Sequence, residues 1–132
     1  MNIFISYIAT LVPLVILDAV WILGLAKGFY AEQMGFLFTK SVNFGPVAFF
    51  YPLYALGVLV LVVLPAVSSA SWVEALWKGA VLGLVAYGAY DLTNHATIAN
   101  WPLMMTIVDM LWGMAVTALT SVAAYFIISA FK

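Results

Sequence analysis

The sequence predicts an all-α integral membrane protein: a four-helix bundle with a short interfacial helix after its first span. Three observations lead there. The 132 residues are 67% hydrophobic and 7% charged, which is more apolar surface than a soluble domain of this size can bury. Four segments reach the roughly 20 mostly apolar residues that cross a bilayer as a helix. The acidic residues that interrupt three of these segments fall at about the same depth.

The first span covers about residues 3–26. It lacks the basic start of a secretory signal, and Asp18 breaks its apolar run, so it reads as a span and not as a leader. The connection that follows mixes Phe29, Tyr30, Phe36, Leu37 and Phe38 with Glu32, Gln33 and Lys40. That mixture suits a helix or lid lying on the membrane surface. The second span covers about residues 44–67, and Pro52, beside Tyr51, is expected to kink it and free a carbonyl. Ser68, Ser69 and Ser71 make a short polar turn, flanked by the interfacial aromatics Trp72 and Trp77. The third span covers about residues 76–98. Its Gly79 and Gly83, four residues apart, predict close helix contact, either within the chain or as the face of a homo-oligomer. Asn100, Trp101 and Pro102 form a tight joint, with proline at the first turn of a fourth span over about residues 103–128. The chain is thus expected to be a single transmembrane domain over residues 1–132.

Composition excludes several classes of function. Without cysteine there is no disulfide, thiol chemistry or cysteine metal site. A single histidine cannot build a histidine metal cluster, so no metal is expected. A haem at His95 would lack a second histidine, leaving only Met104 and Met105 as soft ligands, and the cofactor stays unknown. Four lysines and no arginine argue against nucleic acid, which needs a basic face. The pattern holds no Ser-His-Asp arrangement and no phosphate-binding glycine loop. Lys27 and Lys40 fall on one side of the bundle, Lys78 and Lys132 on the other. The charge rule for orientation is therefore tied.

The chemistry sits in Asp18, Asp91 and Asp109. Helix counting puts each roughly 10–12 Å below the same membrane face, with Tyr51 at a similar depth. One carboxylate near the bilayer centre costs about 2.5–3.5 kcal/mol on insertion scales, so three unpaired ones would rival the roughly 5–15 kcal/mol of a whole domain. They must be buried among helices, paired, protonated or hydrated. Asp18 with Trp21, and Asp109 with Trp112, repeat the pattern aspartate-x-x-tryptophan. Residues at that spacing share a helix face, so each indole N–H is placed to donate to a carboxylate. Tyr87, Asp91, Asn94 and His95 also share one face. Such a polar run must face protein or water. It serves either a ligand, ion or proton site, or a hydrogen-bond network that fastens helices.

Several of these elements together resemble a domain-of-unknown-function family of small bacterial four-span membrane proteins. The matching residues are Asp18 with Trp21, Phe29-Tyr30 with Gly35, and Phe50-Tyr51. Tyr90-Asp91-Leu92-Thr93-Asn94 with Ala96-Thr97, Trp101-Pro102, and Asp109 with Trp112-Gly113 complete them. The resemblance implies a four-helix, multi-pass protein of the bacterial inner membrane and brings no activity with it. His95 is outside the pattern.

The leading expectation is binding or translocation of a small cationic or polar ligand, or a proton, at an acidic cleft. Asp18, Asp91 and Asp109 would be counter-ions, Asn94 and Tyr51 hydrogen-bonding groups, and Trp21 and Trp112 walls. Two other classes compete. One is an intramembrane enzyme acting on a lipid, with Asp91 and Asp109 as acid and base. The other is a structural or assembly subunit in the lipid bilayer. The binding reading predicts a pocket lined by at least two of the aspartates, roofed by Tyr30 or Phe36, with Asn94 and Trp101 at its mouth.

Overall fold

The structure, a computed structural model, describes residues 2–38 and 43–131. Lys40 and Lys132, two of the four residues in the orientation count, lie outside the described residues. No strand occurs among the described residues. The chain is an all-α membrane bundle.

Helix α1 (Ile3–Leu25) begins at Asn2, whose side chain accepts from the Ile5 amide at 2.8 Å. This is an ordinary N-cap. Its last turn, Trp21–Leu25, is wound as a π turn, a widening often found at functional sites. Helix α2 (Lys27–Met34) follows directly and ends in a short 3-10 turn, Gly35–Leu37. Helix α3 (Phe44–Ser68) runs unbroken through Pro52. A second π turn follows at Leu59–Val63. The Pro52 carbonyl accepts from the Tyr7 hydroxyl at 2.8 Å, which ties α3 to α1.

Helix α4 (Trp72–Thr97) starts on a capping arrangement. Ser71 Oγ accepts from the Glu74 amide at 3.1 Å, and Glu74 pairs with Lys78 at 2.8 Å. Helix α5 (Leu103–Ala130) starts immediately after Pro102, which is its N-cap and not a first-turn residue. Three helices, α1, α3 and α5, are long and apolar enough to cross a membrane. The 26 residues of α4 suffice in length, at roughly 1.5 Å each, but Glu74, Lys78 and Asp91 make it less apolar than the others.

Helix α5 is the centre of the bundle, packing on α1, α4 and the C-terminal part of α3. The α4–α5 contact is the most intimate. A Cβ at Gly79 would lie 2.9 Å from Ala118 Cα, and one at Gly83 would collide with the Gly113 carbonyl. The glycine pair is therefore occupied inside the chain, and an oligomer cannot use that face. Helix α2 docks on the α4–α5 joint through Met34, Trp101 and Met105. His95 fastens the same joint: its Nδ1 is 3.1 Å from Thr106 Oγ1, which accepts from the Trp101 indole at 3.0 Å. Helix α3 meets α4 along residues 59–68 and is largely separate from it over Phe44–Val58. That divergence opens the bundle beside the acidic residues.

Candidate functional site

Asp18, Asp91 and Asp109 are all buried, in three different environments. Asp18, near the end of α1, is fully engaged. Its Oδ1 accepts from the Trp112 indole at 2.9 Å, and its Oδ2 accepts from the Tyr51 hydroxyl. Asp109, on α5, accepts from the Tyr30 hydroxyl at 2.7 Å, and Tyr30 accepts from the Trp21 indole at 2.8 Å. Trp21 and Trp112 stack face to face, with ring centroids 4.4 Å apart and planes 7° from parallel. The aspartate-x-x-tryptophan elements thus exchange partners between helices: each indole serves the other element's carboxylate, directly for Trp112 and through Tyr30 for Trp21. Burial and the Asp109 carboxylate push the Tyr30 hydroxyl above the usual phenol range, so it stays a donor across ordinary pH.

Asp91 is different. It is completely buried, and among the described residues no hydrogen-bond donor reaches either of its oxygens. Its charged neighbour is the Asp109 carboxyl, and two carboxylates that feel one another in a buried site repel when both are ionised.

A cavity of about 480 Å³ opens beside Asp109. Tyr30, Met34 and Phe38 cover one end of it, Phe50 and Tyr54 of α3 form one wall, and Ala86, Tyr87 and Tyr90 of α4 form the other. Asp109 is its one lining carboxylate among the described residues.

Several expectations need correction here. The cavity is lined by one aspartate and not two: Asp18 is screened by its own donors, and Asp91 lies behind Asp109. Tyr30 forms part of the cover, whereas Phe36 is exposed. Asn94 and Trp101 do not line the cavity. Asn94 is half-buried beside Tyr90, and no hydrogen bond among the described residues joins it to an aspartate. Trp101 is buried in the α2 docking contact. Trp112 and Tyr51 donate to Asp18, Trp21 reaches Asp109 only through Tyr30, and none of the three lines the cavity. Sequence reasoning passed over Phe50, Tyr54 and Tyr90 as lining groups. Phe50 and Tyr54 stand four residues apart, and Tyr87 and Tyr90 three, which puts paired rings on facing helices. That spacing was the available signal.

Fold and site define a multi-pass, all-α membrane protein with buried acids beside an aromatic-walled cavity. The chain belongs to the DUF2177 family of predicted membrane proteins, whose profile matches residues 3–126. No curated protein and no solved structure matches the chain.

Proposed function

We propose that this protein binds a small cationic or polar ligand in the cavity beside Asp109, as a four-span protein of the bacterial inner membrane. The observation that carries the reading is the placement of one buried carboxylate in a wall otherwise made of aromatic and apolar side chains. A pocket of a few hundred Å³ with few convergent polar groups is the usual form of a small-molecule site. Tyrosine and phenylalanine faces attract a cation within about 6 Å, and Asp109 supplies the counter-charge. Tyr30 orients the Asp109 carboxylate. Asp18, with both oxygens engaged, serves as a fastener between α1, α3 and α5. Four helices leave little room for a closed path, so translocation of the ligand would need an assembly of copies.

The test is to purify the wild-type and Asp109→Asn proteins from the same membranes and compare their retained small molecules by mass spectrometry. A cation or polar solute enriched with the wild type and lost with the variant supports the reading. A chemically altered lipid would favour the enzyme, and identical extracts would favour a structural subunit.

A further inference from the structure

We infer that the cleft accepts a lipophilic monovalent onium or ammonium ion, entering sideways from the bilayer between α3 and α4, with Asp109 as its single counter-charge. This rests on the cation-binding reading and narrows its ligand class.

The charge of the site comes from counting its neighbours. Around the Asp91–Asp109 pair, α1 contributes Asp18, already held by Tyr51 of α3 and Trp112 of α5. Helix α2 contributes the Tyr30 hydroxyl as a donor to Asp109. Helix α4 contributes Tyr87 and Tyr90, and α3 contributes Tyr54. No lysine is among these groups in the described residues. Tyr30 supplies a donor to Asp109, but among the described residues nothing supplies one to Asp91. Asp18 is held by its own donors and Asp91 does not line the cavity, so the Asp109 carboxylate is the one negative charge that faces it. One monovalent cation neutralises that charge. A dication would bring a second, uncompensated charge into an apolar site, which is costly.

The wall chemistry selects an organic cation. Metal ions such as calcium take six or more oxygen ligands. Here a single carboxylate faces the cavity, and no cluster of three ligating acids or histidines occurs among the described residues. Aromatic faces recognise onium groups instead. The route follows from helix packing. Over Phe44–Val58, α3 is largely separate from α4, and Phe50 and Tyr90, on opposite walls, are both exposed at the rim. Phe50 lies within an apolar helix long enough to span a membrane, so entry at that rim would be from the hydrocarbon, and an apolar body on the ion would ease its approach.

The experiment measures binding to the full-length protein in lipid nanodiscs, with empty nanodiscs as the control. Three probes of one shape family are compared: benzyltrimethylammonium, its neutral carbon isostere neopentylbenzene, and the dication para-xylylene-bis(trimethylammonium). The monocation should bind saturably, and both other probes at least about tenfold more weakly, given the energy of a buried charge-assisted contact. Asp109→Asn should weaken the monocation by at least about tenfold. Asp91→Asn should change it by less than about threefold, because Asp91 does not line the cavity. Dication preference, or loss of binding in Asp91→Asn comparable with that in Asp109→Asn, overturns the inference but leaves a cation site at Asp109. Failure of every cation to bind in an Asp109-dependent way overturns both. The comparison of probes on the wild type decides the charge question even where a variant fails to fold.

Discussion

Asp18 accepts from Trp112 and Tyr51, and these two donors remove the main cost of burying its charge. Deleting either donor leaves a buried carboxylate oxygen unpaired, which typically costs about 1–3 kcal/mol. Trp112→Phe and Tyr51→Phe should therefore each lower the unfolding midpoint in detergent. The loss on Trp112→Phe should shrink in an Asp18→Leu background. An equal loss with and without the carboxylate would show that the indole acts by packing alone. At Asp91, where no donor is present, Asp91→Asn should leave stability unchanged or raised. A large loss would mean that the carboxyl makes a contact the amide cannot copy. At this scale the sequence located the three acids and their residue types but not their partners. The aspartate-x-x-tryptophan spacing suggested pairing within one helix. The actual pairing runs between helices, because contact across α1 and α5 depends on helix rotation, which a five-residue spacing does not encode. Asn94 shares a face with Asp91 by count, yet it sits against Tyr90 and does not line the cavity.

The helices were legible as elements because apolar runs of this length have few alternatives. Their irregularities were not. In α3 the π turn falls at Leu59–Val63, and no single residue there announces it. The turn between α3 and α4 has a readable cost. Ala70 sits at φ 53°, and the Ser71 amide bonds back to the Ala66 carbonyl at 3.1 Å, as does the Ala70 amide to Val67. This is the helix-ending arrangement that favours glycine. A left-handed alanine is strained by roughly 1–2 kcal/mol, so Ala70→Gly should stabilise the protein by up to about 1 kcal/mol, read as a raised unfolding midpoint. The α4–α5 contact makes the opposite prediction. Gly83→Ala forces a methyl into the Gly113 backbone and should cost about 1–3 kcal/mol. Gly57→Ala, with open space around it, serves as the control and should cost nothing. Equal tolerance of both would mean that α4 and α5 pack less closely than described. The small-residue pattern at Gly79 and Gly83 signalled this contact, but its partner, Gly113, follows no pattern in the sequence.

The whole molecule places α5 at the centre, fastens α1 and α4 to it, and lets the first half of α3 diverge. The cavity is a consequence of that divergence, with Asp109 on the central helix as its charge and α2 as its cover. Of this, only the cover was legible beforehand, in the mixed aromatic and polar connection that holds Tyr30. Depth counting put the acids in one layer, but it did not tell which of them faces open space. The central claim is that this space is reachable in the membrane and holds a cation against Asp109. Because the chain has no cysteine, a single introduced one reports directly. Ala86→Cys lines the cavity, and Ala55→Cys, at a fully buried position, is the control. In native membranes, a trimethylammonium methanethiosulfonate reagent should modify the first and not the second. Benzyltrimethylammonium should slow that reaction, and the protection should vanish when Asp109→Asn is added. Equal inertness of both positions, or reaction at Ala86→Cys that no cation slows, would contradict the account.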